Sequence, residues 1–177
     1  MMSVTYPSAA SLGGGGICLT RDDKSGNVAT LDFLGQTSSG VEGIQVNVPG
    51  NPRGFFALHA KHGSLEWREL IRPAENAARF GAQVSRALAR EIASAGPSLA
   101  ETTGGRLMAL QSGGRLYIEG DTIIQPELGA VLAILRSRGA GAMYTGPYAR
   151  QIVAAAQESG AALTYADLQA LRPLWRS

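Results

Sequence analysis

Two short apolar runs lie near the amino terminus, at residues 16–20 and 27–33, with the polar stretch RDDKSGN between them. Asp22, Asp23, Ser25, Gly26 and Asn27 are turn formers, so the pattern predicts a β-hairpin. Residues 34–50 are rich in Gly and Ser and read as loop, with a short β-like stretch at Ile44–Val48. The apolar spacing then lengthens to that of helices. A helix over 52–62 opens on Pro52 and stops at Gly63, and Ser64 can cap the next. Trp67, Leu70, Ile71, Ala74 and Ala78 give that next helix one apolar face, and Gly81 ends it. A third helix is expected over 84–95, halted by Gly96-Pro97. Residues 96–120 carry little pattern beyond a strand-like Arg115–Ile118. A further helix starts at Pro126, with Leu128, Val131, Leu132 and Leu135 on one side and Gly139 at its end. Another covers 147–159, with Tyr148, Ile152 and Ala156 aligned. Thr164 and Asp167 form a capping-box pattern ahead of Leu168, and Pro173 closes that last helix. The fold class is therefore α+β: one N-terminal hairpin followed by a mainly helical region, in a single segment divided near residue 50.

The most unusual local feature is the run Gly13, Gly14, Gly15, Gly16 just before the first strand. Four glycines stabilise neither strand nor helix; they give positive φ and room for close backbone approach. A phosphate loop would need Gly-Lys-Ser/Thr and then a helix, and a dinucleotide fingerprint would also open a helix. Ile17, Cys18 and Leu19 follow instead. A flexible linker is the bland reading, but strand-like segments flank the run closely.

Composition narrows the field. The chain has 177 residues and a net charge of +2, too small to argue for nucleic acid. Its single cysteine, Cys18, excludes an internal disulfide and a cysteine metal site, and its apolar strand context predicts an inert buried thiol. There is no apolar run long enough for a membrane helix, and MMSVTYPSAAS lacks the basic start and apolar stretch of a secretory signal. His59 and His62 lie three apart on a helix, but no acidic residue or third histidine accompanies them, so they read as packing or surface residues. Asp22 and Asp23 read as turn formers, and Asp121 and Glu127 as helix-start acids favoured by the macrodipole. Neither metal nor cofactor is expected.

The glycine run with its hairpin, NVPGNPRGFFALHAKHGSLEWRELIRPAENAARFGAQVS, GDTIIQPELGAVLAIL and GAGAMYTGPYARQIVAAAQESGAALTYADLQALRP occur here in an order and spacing that resemble the large subunit of the γ-glutamyltransferase (glutathione hydrolase) family. The resemblance runs from about Tyr6 to Trp175. It implies an N-terminal-nucleophile hydrolase of αββα architecture, acting on γ-glutamyl or related acyl amides such as glutathione. Family members are often periplasmic or secreted. The resemblance also implies that Gly13–Gly16 lie near the active site.

Two departures from the family pattern matter. The family's precursor cuts itself to expose a small-subunit threonine that is both nucleophile and, through its α-amine, base; its motif is Thr-Thr-His before an apolar strand. That motif does not occur here, and Thr102-Thr103 is followed by Gly104-Gly105. No catalytic residue is therefore expected in this chain, which reads as a fragment or one piece of a split assembly whose partner carries the threonine. The second departure is Leu34, which stands where the resemblance implies an arginine gripping the substrate's α-carboxylate; leucine offers no guanidinium fork. Either another arginine substitutes, with Arg53 nearby in sequence though it reads as a helix-start surface residue, or the acyl group lacks that carboxylate. The competing reading is a catalytically inactive scaffold that acts as an association module.

Overall fold

A computed structural model describes residues 1–101 and 103–176, with the backbone alone described at Pro97 and Thr103. In chain order the elements are α1 (Met2–Thr5), β1 (Ile17–Arg21), β2 (Val28–Asp32), α2 (Asn51–His62), α3 (Trp67–Phe80), β3 (Ala82–Gln83), α4 (Arg86–Leu99) and α5 (Thr103–Ala109). There follow β4 (Thr122–Ile123), α6 (Pro126–Arg138), a 3-10 turn (Ala140–Met143), α7 (Gly146–Glu158), α8 (Tyr165–Ala170) and β5 (Leu174–Arg176). The chain forms two compact units, residues 1–11 with 69–133 and residues 12–68 with 134–177.

The second unit holds the hairpin. Asp22 closes its turn, its Oδ1 accepting from the Lys24 N–H (2.9 Å), the Ser25 N–H (2.7 Å) and the Ser25 hydroxyl (2.9 Å). β1 and β2 pair antiparallel with Cys18 opposite Leu31, and β5 adds a third antiparallel strand, with Trp175 opposite Leu31. Because side chains alternate between faces, Leu31, Cys18 and Trp175 share one side and Ile17, Leu19 and Leu174 the other. Leu31 is fully buried, whereas Leu19 is 71% and Ile17 60% exposed, so this sheet buries one face only. α2 packs beside β2 and against the 3-10 turn. α8 starts on a complete capping box: Thr164 Oγ1 accepts from the Asp167 N–H (3.1 Å), and Asp167 accepts from the Thr164 N–H (2.9 Å) and hydroxyl (2.8 Å). Asp167 also accepts from the Ser39 N–H at 3.1 Å, tying the loop after β2 to this helix.

The first unit is built on α4 and the two-stranded β3–β4 pair, with Val84, Leu88, Ile92, Ile123 and Leu132 in its core. Ser85 caps α4, its hydroxyl accepting from the Leu88 N–H. Gln125 donates to the carbonyl of buried Val4, which anchors α1. Asp121 accepts from the Ile118 N–H (2.8 Å), Gln111 (2.6 Å) and Arg115 (3.0 Å). It therefore clamps the turn before β4 rather than serving a helix dipole; Glu127 does lie in the first turn of α6.

Several expectations need correction. α4 runs through Gly96-Pro97 to Leu99. Gly96 is a packing residue, since a Cβ there would lie 2.6 Å from Leu116 Cδ2. Helix α5 forms where pattern was weak, and 115–118 contributes only a bridge between Leu110 and Leu116. Ser64 does not cap α3, which begins at Trp67. On α3 the buried residues are Ala74, Glu75 and Ala78 while Leu70 is exposed. On α7 they are Ala149 and Val153, one position beyond the Tyr148/Ile152 line. Ile44–Val48 forms no strand, but Ile44 bridges to Ala161 and Asn47 to Thr37. β5 makes the sheet three-stranded rather than a lone hairpin.

Asp167 yields a prediction. Burial alone would raise its pKa, but hydrogen bonds from the Ser39 and Thr164 side chains and backbones outweigh it and hold the carboxyl below the usual aspartate range. A lowered folded-state pKa contributes stability above the ordinary aspartate value of about 3.9, and that stability is lost as pH falls through the lowered value. Asp167→Asn should cost about 1–2 kcal/mol near neutral pH and much less near pH ~3, read by urea unfolding of both forms. An equal cost at both pH values would refute the assignment.

Candidate functional site

The glycine run enters the second unit from a turn at Leu12 and Gly13, and none of Gly13–Gly16 has a positive φ. At Gly15 and Gly16 the requirement is crowding rather than left-handed backbone. A Cβ on Gly15 would lie 2.6 Å from the Phe33 carbonyl oxygen, 2.7 Å from the Gly35 nitrogen and 3.0 Å from Leu34 Cα. A Cβ on Gly16 would press on the Phe33 ring at 3.2 Å. The Gly14 carbonyl accepts from the Gly50 and Asn51 N–H groups, both at 2.8 Å, and the Gly16 carbonyl accepts from the Phe33 N–H at 2.9 Å. The run is thus laced between the end of β2 and the start of α2. Gly50 and Gly54 complete the fit, because a Cβ on Gly50 would overlap the Phe33 carbonyl oxygen and one on Gly54 the Phe33 ring.

Leu34 sits directly against Gly15 and is 53% exposed. Asp32 fixes the bend before it: Oδ1 accepts from the Leu34 N–H at 3.1 Å, and Oδ2 pairs with Arg176 at 3.3 Å. The cation nearest this bend in the hydrogen-bond network is therefore Arg176 of β5, not Arg53. Arg53 is half-buried rather than a surface residue, and it donates to the carbonyls of Leu168 (3.2 Å) and Leu171 at the end of α8. Its guanidinium carbon lies 4.1 Å from the Tyr144 ring centroid. Burial, with Arg172 nearby, lowers its pKa, partly offset by Tyr144. Tyr144 is itself fully buried, and desolvation pushes its pKa up to about 12, so it is a neutral donor. Its hydroxyl donates to the Pro49 carbonyl at 2.6 Å and accepts from the Arg53 N–H at 3.3 Å. That bond pins the residue immediately before Gly50.

The other candidates lie apart from this bend. His59 packs edge-on to Trp67 and its Nε2 lies 2.7 Å from the Leu65 carbonyl, while His62 packs on Trp175. Among the described residues no group of three His, Cys, Asp or Glu is placed to hold a metal ion. Asp22 closes the hairpin turn, and Asp23 pairs loosely with Arg21 at 4.0 Å in solvent. Cys18 is half-buried on the packed side of the sheet rather than sealed in a core. Thr102 lies outside the described residues, and Thr103 begins α5.

Sequence reasoning singled out the glycine run and Leu34 as candidates, and the structure places Gly15 against Leu34. It missed Gly50, Tyr144 and Arg176. Gly50 and Tyr144 carried a signal, in Val-Pro-Gly and Tyr-Thr-Gly, but the Tyr144–Pro49 bond that joins these motifs spans 95 residues. Chemically the site offers a side-chain-free wall beside an exposed apolar residue, with an arginine–carboxylate pair at its edge.

A family description of gamma-glutamyltranspeptidase matches residues 1–177. The glutathione hydrolase proenzyme of Escherichia coli strain K12 is 27% identical over an alignment covering 99% of this chain and 33% of that protein. The crystal structure of Helicobacter pylori gamma-glutamyltranspeptidase superposes with a TM-score of 0.90 at 25% identity, covering 99% of this chain and 56% of that one. The Bacillus anthracis transpeptidase CapD superposes with a TM-score of 0.83 at 26% identity, covering 99% of this chain and 58% of that one. The chain spans about a third of the length of the curated relatives it matches. Its α+β fold is that of a segment of an N-terminal-nucleophile hydrolase. With matches that run from end to end in both sequence and structure, the chain belongs to the gamma-glutamyltranspeptidase family.

Proposed function

We propose that this chain is the large-subunit-like part of an enzyme that hydrolyses or transfers γ-glutamyl or related acyl amides of the glutathione type. The threonine nucleophile would come from a small subunit or from the remainder of a precursor. The observation that carries this reading is the fit of Gly15 against the backbone of Leu34 and Gly35. A tightly held loop without side chains is what a reacting acyl group and an incoming threonine would need beside them. The names of the relatives, glutathione hydrolase proenzyme among them, support the substrate class. The sheet face carrying Ile17, Leu19 and Leu174 supports the partner, because an exposed apolar patch of this kind marks an interaction surface. In this reading the loop and the Asp32 bend position the acyl group, while attack and proton transfer belong to the threonine hydroxyl and its own α-amine. Among the described residues no helix is long and apolar enough to cross a membrane.

Leu34 qualifies the substrate. Beside the loop it presents an apolar side chain where a γ-glutamyl donor would need a cation for its α-carboxylate. The reading that follows is an acyl group with an apolar or differently placed end, or weak use of glutathione.

Three outcomes test these proposals. The 177-residue chain alone should not turn over a γ-glutamyl anilide, whereas the complete protein with a Thr-Thr-His segment should; turnover by the chain alone that disappears on mutating Thr102 or Thr103 would overturn the division of labour, and an inert complete protein would favour the scaffold. In the complete protein, Gly15→Val should lower kcat/KM or self-cleavage on the order of a hundredfold, because the Cβ meets backbone atoms that must move. Unchanged maturation and rate would take the loop out of the site. Leu34→Arg should tighten a γ-glutamyl donor by about 2 kcal/mol, roughly thirtyfold in KM, as a charge-assisted pair forms. No change in KM, with glutathione already bound tightly, would show that another cation holds the carboxylate.

A further inference from the structure

The first unit contains a cavity of about 360 Å³, at the small end of the roughly 300–1,000 Å³ range of small-molecule sites. One wall is a single face of α4, with Leu88, Ile92, Ala95 and Leu99 recurring at helical spacing. The facing wall is α5, through Met108 and the pair Gly104-Gly105. Nothing stands within 4 Å of where a Cβ on Gly104 would be, so the glycine faces open space. The lining is apolar except for Ser8 and Glu91, the latter between Leu88 and Ala95 on the α4 wall. Glu91 accepts a hydrogen bond from the Tyr6 hydroxyl, and hydrogen bonds from Ser8 and Tyr6 hold its carboxyl below the ordinary glutamate range. Tyr6 and Ser8 occupy only part of a carboxylate's acceptor capacity of about four lone-pair sites. Glu91 is the one charged residue among the described lining residues; Arg106 on α5 is committed to the Ala100 carbonyl at 2.6 Å.

An apolar slot with a single anionic group in its wall selects a ligand of complementary shape and charge. We propose that this cavity binds a small amphipathic amine, with its aliphatic or aryl body between α4 and α5 and its ammonium against Glu91. The site lies wholly in the first unit and is independent of the acyl-transfer reading.

The test is calorimetric titration of the complete protein with hexylammonium, 1-hexanol and hexanoate. Hexylammonium should bind about tenfold more tightly than hexanol and more strongly still than hexanoate. Lengthening the amine by one methylene should tighten binding about fourfold until the slot is full. Glu91→Gln should bring amine and alcohol to parity while retaining alcohol binding. Gly104→Leu fills the open space on a helix that favours leucine over glycine, so it should abolish binding of both with the Tm unchanged or raised. Equal affinity for amine and alcohol in the unaltered protein, no measurable binding of either, or amine binding that survives Gly104→Leu would each overturn the proposal.

Discussion

The second unit depends on one steric constraint: backbone must pass backbone at the end of β2 with no Cβ between. Gly15 lies against Phe33, Leu34 and Gly35, and Gly50 lies against the Phe33 carbonyl and Gly15. Interiors are close-packed, so three segments can meet so tightly only if the side chains are missing at the points of contact. The hydrogen bonds then follow from proximity. Gly14 accepts from Gly50 and Asn51, and Gly16 accepts from Phe33, so the crowded strands satisfy one another's polar groups.

Around this junction the polar side chains act as ties rather than as reagents. Tyr144, buried and neutral, holds the Pro49 carbonyl. Arg53 stacks on the Tyr144 ring and donates to the Leu168 and Leu171 carbonyls at the end of α8. Asp167 joins the start of α8 to Ser39. Each tie is a donor or acceptor that burial would make costly to leave unpaired, and each links segments far apart in sequence. Leu34 stands beside these ties with its own side chain exposed.

The amino-terminal segment is read differently by its two ends. Residues 1–11 belong to the first unit, held by Val4 and by the Tyr6–Glu91 bond, while the glycine run that follows belongs to the second. A short segment therefore carries two separate sets of contacts, one made with side chains of the first unit and one largely through backbone.

What the sequence determined by itself was local. The hairpin, the stop of α2 at Gly63, the end of α3 at Gly81, the start of α6 at Pro126 and the capping box at Thr164 all rest on φ preferences or short-range hydrogen bonds, and these act within four or five residues. The family was also legible, because several short motifs in order along the chain resemble its large subunit, and the family description matches residues 1–177. The tertiary structure alone decided the rest. Gly96 looked like a helix stop, yet it is the contact point for Leu116, twenty residues on. β5 is too short to announce itself and exists because β2 offers it a paired edge. Arg53 looked like a surface arginine until α8 supplied carbonyls for it, and Arg176 came to stand beside Asp32 only through strand pairing across 144 residues. Local conformational preference is written residue by residue, but which backbone a glycine must admit, and which partner a charge meets, is fixed only when distant segments are brought together.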